Sequence, residues 1–219
     1  NSDLEVSGSL LLNGTLRAGA PGNTVSYTGT APQTVKTPFS SLYHNLIING
    51  ASVKSLSGSI AINGDITINA SNTLAVTAGN YDINIRGNWI NGGGIFSPAA
   101  GTVFFDGTGS QYVTGTETYY NLTMANLTGD LVINNDIVVG GTLNMTGKDI
   151  VTGTNILHVG TDAANTGTVT RTSGILIGKI ERWAGSFGDL LFPVGYTGSY
   201  NPANIYINQI GRASCRERV

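Results

Sequence analysis

The sequence predicts an all-β protein, and within that class a right-handed parallel β-helix, or β-solenoid, with a distinct C-terminal capping segment. Three observations lead there. A short pattern recurs, in which apolar residues alternate with others on both sides of a three-residue corner. A longer self-similarity, with offsets of 71 to 78 residues, is laid over it. Composition removes the other classes. Only 11% of residues are charged, too few for a solvated disordered tail, and the 31 glycines follow no collagen period. No long segment carries apolar residues at helical spacing.

The first corner is "NGT", with Leu10 and Leu12 before it and Leu16 and Ala18 after it. The second is clearer: "SIAINGDITIN", Ser59 to Asn69. Asn-Gly between alternating runs is a strong hairpin signal, but register opposes a hairpin. With Asn63-Gly64 as a two-residue loop, Ile62 faces Asp65 and Ile60 faces Thr67, so apolar and polar residues share each face. A three-residue loop aligns Ile62 with Ile66, yet it calls for glycine in its last position, where Asp65 stands. Reading the segment as strand, corner, strand instead sends Ile60, Ile62, Ile66 and Ile68 into one core. The third instance, "NND", joins Leu131 and Ile133 to Ile137 and Val139, which continue through "GGT" to Leu143 and Met145. A hairpin closes after two strands. Here one strand ends one corner and begins the next, so the chain coils, and strands of successive coils stack at about 4.8 Å. Corner asparagines such as Asn63 and Asn134 are expected to form ladders between coils.

The longer repeat aligns "GNTVSYTGTAPQTV" and "LYHNLII" with "GTVFFDGTGSQYV" and "YYNLTM". Val25 then matches Val103, Gly29 matches Gly107, Gln33 matches Gln111 and Asn45 matches Asn121. The two units lie near 22–100 and 101–170, each long enough for three or four coils of about 20 residues. Of the adjacent Tyr119 and Tyr120, one is expected inside and one outside, because strand side chains alternate.

The string "GTVFFDGTGSQYVTGTETYYNLTMANLTGDLVINNDIVVGGTLNMTG" is similar to repeats of very large secreted bacterial surface proteins, often adhesin-like. "GSFGDLLFPVGYTGSYNPANIYI" resembles the "FPVG" segment that follows such repeats in that group. The resemblance spans Val25 to Ile207. It implies an extracellular, cell-surface, non-catalytic β-repeat region, monomeric as a segment, whose partners are glycans or host or neighbouring-cell surface components. It brings no catalytic residues with it.

Residues 1–170 are therefore expected to form the solenoid, and 171–209 a cap or the start of a following β module. The change of texture supports that boundary, since Arg171, Lys179, Glu181, Arg182 and Trp183 enter a bland chain. The last ten residues, "IGRASCRERV", resemble the translation of a short-read sequencing adapter, residue for residue. On that reading 210–219 is non-native and stands outside the fold. Asn1 in place of methionine adds the expectation that both ends are truncated.

Chemistry is sparsely signalled. Asp65 and Asp136 occupy equivalent corner positions, which turn geometry explains. Asp82, Arg86 and Trp89 in "NYDINIRGNW" form the best carbohydrate-contact constellation, weighed against a same-face ion pair beside a packed tryptophan. His44 and His158 are far apart, and Cys215 in the tail is the one cysteine. No metal site, cofactor or catalytic residue is expected. A slightly acidic chain without a basic patch is not expected to bind nucleic acid, and without a long apolar run it is not expected to insert in a membrane. The expectation is a non-catalytic structural and adhesive rod. Its rival is a carbohydrate-binding or carbohydrate-active β-helix, a lyase or glycoside hydrolase.

Overall fold

The computed structural model describes residues 2–10 and 13–216, so Leu12 of the first corner and residues 217–219 of the tail lie outside the described residues. The chain winds as a parallel β-solenoid with three faces. One coil reads Ile60–Ile62 on face 1, Ile66–Asn69 on face 2 and Thr73–Ala75 on face 3. Face 1 continues through Ile83–Ile85, Thr102–Phe105, Asn121–Met124, Thr142–Met145 and Thr168–Arg171, all parallel. Face 2 runs from Asp3–Val6 through Thr24–Tyr27, Asn45–Ile48, Ile66–Asn69, Trp89–Gly92, Gln111–Thr114 and Leu131–Ile133. Face 3 holds Gln33–Val35, Val53–Leu56, Thr73–Ala75 and Ile95–Ser97, followed by Glu117–Tyr119 and Ile137–Val139. Paired residues on successive coils of face 2 lie 19 to 26 positions apart in sequence.

Burial explains the short strands. Ile60, Ile62, Ile66 and Ile68 are all in the core, while Ala61 and Thr67 between them are half-exposed. Leu131, Ile133, Ile137, Val139, Leu143 and Met145 repeat the arrangement. Each such aliphatic side chain contributes about 1.5–3 kcal/mol on burial, and each strand lasts only until a corner is needed to keep the next apolar pair inside. Gly50 marks one tight corner: at φ +89° a Cβ there would meet Thr28 O at 2.2 Å. Tyr119 points inward and Tyr120 outward. A single 3₁₀ turn, Phe39–Ser41, is the helical content among the described residues, where no helix is long and apolar enough to cross a membrane.

The stacking passes the expected boundary at 170. Thr168–Arg171 and Leu176–Ala184 make a further coil, the latter strand running from face 2 into face 3 as Ile150–Val159 does before it. The charged residues of 171–184 decorate this coil without ending it. Beyond it lie two small antiparallel pairs, Gly188–Phe192 with Ala203–Ile207 and Gly195–Tyr196 with Ser199–Tyr200. Gly211–Arg216, expected outside the fold, instead runs antiparallel along Leu176–Ala184, with Ala213 and Cys215 against the core. An unpaired strand edge accepts any short segment that alternates suitably, whatever its origin.

The long repeat does not map one face onto the same face. Thr24–Tyr27 is on face 2 and its match Thr102–Phe105 on face 1, eleven strands later, three coils and two faces on. Val53–Leu56 has no counterpart between Met124 and Leu131. After that omission Ile60–Ile62 of face 1 matches Leu131–Ile133 of face 2. The repeated unit carries strands and corners that serve on any side of the coil.

Ladders form, at other residues than expected. Asn45 Oδ1 accepts the Asp65 N–H (3.0 Å), Asp65 Oδ1 the Asn88 N–H (2.7 Å) and Asn88 Oδ1 the Tyr112 N–H (3.0 Å). Asn63 accepts from Arg86 Nη1, and Asn134 Nδ2 donates to Thr114 Oγ1. The ladder residue stands at the start of the face 2 strand, as Asn45 does, or just before it, as Asp65 and Asn88 do, where its side chain lies beside the next coil's N–H.

Candidate functional site

Asp82, Arg86 and Trp89 are not brought together. Trp89 has no exposed surface and meets Phe96 and Tyr119 edge-on, with centroids at 4.8 and 5.4 Å. Asp82 Oδ1 accepts the Thr102 N–H of the next coil (2.9 Å). Arg86 reaches to Asn63 on one side and to Asp106 Oδ1, at 3.7 Å, on the other. Four residues along a strand span about 13 Å, whereas a neighbouring coil lies at about 4.8 Å, so both charges turn to the adjacent coils.

The same logic engages the other corner carboxylates. Asp136 Oδ1 accepts the Ile156 N–H (2.8 Å) and Asp149 Oδ1 the Ile175 N–H (2.9 Å). His44 sits at a corner and donates its backbone N–H to Ala18 O, while His158 lies 3.2 Å from Glu181 Oε2, which also pairs with Arg212 (3.0 Å). Among the described residues no three or more His, Cys, Asp and Glu side chains converge as a metal site would require.

Inside the coil lie polar groups that the sequence reading passed over. Gln33 Oε1 accepts the Gly29 N–H (2.9 Å), and its Nε2 donates to Val6 O and Gly8 O. Gln111 repeats this with Gly107 N–H, Ile85 O and Gly87 O. The matched Gly-x-x-x-Gln spacing in the two repeats was the available signal. Glu117 is buried: its Oε2 accepts from Trp89 Nε1 (2.8 Å) and Asn91 Nδ2 (2.9 Å), and its Oε1 from the Thr118 N–H (3.1 Å). Burial pushes its pKa above the usual carboxyl range, and the three hydrogen bonds pull it partly back. Lys54 is also fully buried, its ammonium donating to Gly29 O (2.7 Å) and to Ser52 Oγ, and burial lowers its pKa. These groups close corners from within.

A cleft of about 760 Å³ opens on the surface beside residues 171–175. One wall is the stacked corner before face 2, with Asp130, Lys148 and Asp149, and the other is the turn Thr197–Tyr200. Arg171 lies between them, its guanidinium 3.5 Å from the Tyr200 ring centroid and its Nε donating to Gly174 O. Tyr200 is 37% exposed, and Leu127 at the rim is exposed.

Comparison with protein-family models, curated proteins and solved structures returned no match.

Proposed function

We propose that this chain is a non-catalytic structural and adhesive segment of a secreted bacterial cell-surface protein, a rigid rod that displays its polar faces to glycans or neighbouring-cell components. The observation that carries this reading is the use made of the corner carboxylates. Asp65, Asp82 and Asp136 each hold a backbone N–H of the next coil, so their charge stiffens the stack. General acid–base work asks instead for a carboxylate free to reach substrate. The likeness of residues 25–207 to adhesin-like repeats points the same way.

The rival, a carbohydrate-active β-helix, is favoured by one observation: Asp130 and Asp149 face the same cleft from successive coils. Incubation with pectin, alginate and chitin, read by new reducing ends and by unsaturated-uronate absorbance, separates the two. The rod reading expects no turnover above buffer. Turnover that disappears in Asp149→Asn establishes the rival.

A further inference from the structure

The cleft between the stacked corners and the turn Thr197–Tyr200 has a repeat built into one wall. Asp130 and Asp149 occupy the same position on successive coils, and the Asp149 N–H donates to Asp130 Oδ1 (3.4 Å). Asp149 Oδ1 in turn holds the Ile175 N–H. In each carboxylate one oxygen is fixed by the coil above, and among the described residues the second oxygen has no hydrogen-bond partner. Acceptors therefore recur along the cleft once per coil, at about 4.8 Å. That interval is close to the length of one sugar unit in an extended glycan.

The remaining groups narrow the ligand class. Lys148 and Arg171 balance Asp130 and Asp149, so the cleft offers no net charge to select an anion or a cation. Tyr200 presents a ring steadied by the Arg171 guanidinium, and a partly exposed aromatic beside hydrogen-bonding groups suits a molecule with an apolar ring face and a rim of hydroxyls. We infer that this cleft binds a neutral oligosaccharide lying along the solenoid axis, with hydroxyls of successive units donating to Asp130 and Asp149 and one unit against Tyr200. The inference rests on the adhesive reading, because it takes the cleft to hold a glycan without cleaving it.

The test is calorimetric titration of the full chain with cellotetraose, mannotetraose and chitotetraose, and separately with tetragalacturonate and with calcium chloride. At least one neutral tetrasaccharide is expected to bind, and its affinity to fall tenfold or more in Tyr200→Ala, in Asp149→Asn and on shortening to the disaccharide. Asp149→Asn keeps an oxygen for the Ile175 N–H and so preserves the fold. Tyr206→Ala, an exposed aromatic outside the cleft, is expected to bind as the parent does. The inference is overturned if none of the three neutral tetrasaccharides binds, if binding ignores both cleft substitutions, or if only tetragalacturonate or calcium binds. Sugar recovered intact keeps the adhesive reading whichever way binding falls; sugar recovered cleaved fails that reading instead.

Discussion

Glu117 is the residue at which pH acts on this core. Its carboxyl is buried with Trp89, Asn91 and Tyr119, and burial raises its folded-state pKa despite three donated hydrogen bonds. A carboxyl raised on folding keeps its proton to higher pH in the folded chain than in the unfolded one. Its contribution is thus fully present below the ordinary value near 4.3 and is lost as pH rises through the folded value. Glu117→Gln removes that titration. In urea denaturation at a series of pH values, the stability of the variant relative to the parent is expected to rise between about pH 4 and pH 7. A difference that stays flat over that range contradicts the assignment. None of this was legible locally. Glutamate at position 117 reads as a strand-end charge, and its partners Trp89 and Asn91 lie a full coil away. Asp82, Arg86 and Trp89 lie apart for the matching reason, because proximity in sequence stands for less here than proximity between coils.

At the scale of the element, the corner "NGD" was legible because a two-residue loop mixes apolar and polar residues on each face and a three-residue hairpin calls for glycine where Asp65 stands. Ile62→Asp and Ile66→Asp each place a carboxylate among apolar neighbours and are expected to cost more than about 3 kcal/mol or to abolish folding. Ala61→Asp and Thr67→Asp, on half-exposed positions, are expected to stay within about 1 kcal/mol. Chemical denaturation of the four variants checks this, and a tolerant isoleucine contradicts it. The corner ladder was legible in kind but misplaced. Asn63 and Asn134 stand out beside their corner neighbours, yet the side chains that accept the next coil's N–H belong to Asn45, Asp65 and Asn88, at the start of the strand or one step before it. Which corner residue faces the neighbouring coil depends on the backbone path, and spacing alone does not contain it.

The whole molecule is a stack in which each coil touches chiefly the ones before and after it, and its stability follows from nearest-neighbour terms. Sequence self-similarity revealed an array but concealed its symmetry: a unit of eleven strands cannot return to the same face of a three-sided coil. The continuation past residue 170 was hidden by a change in surface composition, although Leu176 and Ile180 keep the inward alternation. The central claim is that contacts are made between coils and not across local hairpins. It is tested most directly by paired cysteines in a Cys215→Ser background. Ile47 and Thr67 are in-register neighbours on adjacent coils of face 2, within the range of Cα separations a disulfide bridges. Ala61 and Thr67 would face each other only in the three-residue hairpin. Under mild oxidation, followed by peptide mass mapping, Ile47→Cys with Thr67→Cys is expected to form an intramolecular disulfide while Ala61→Cys with Thr67→Cys stays reduced. A disulfide in the second pair and none in the first would contradict the solenoid.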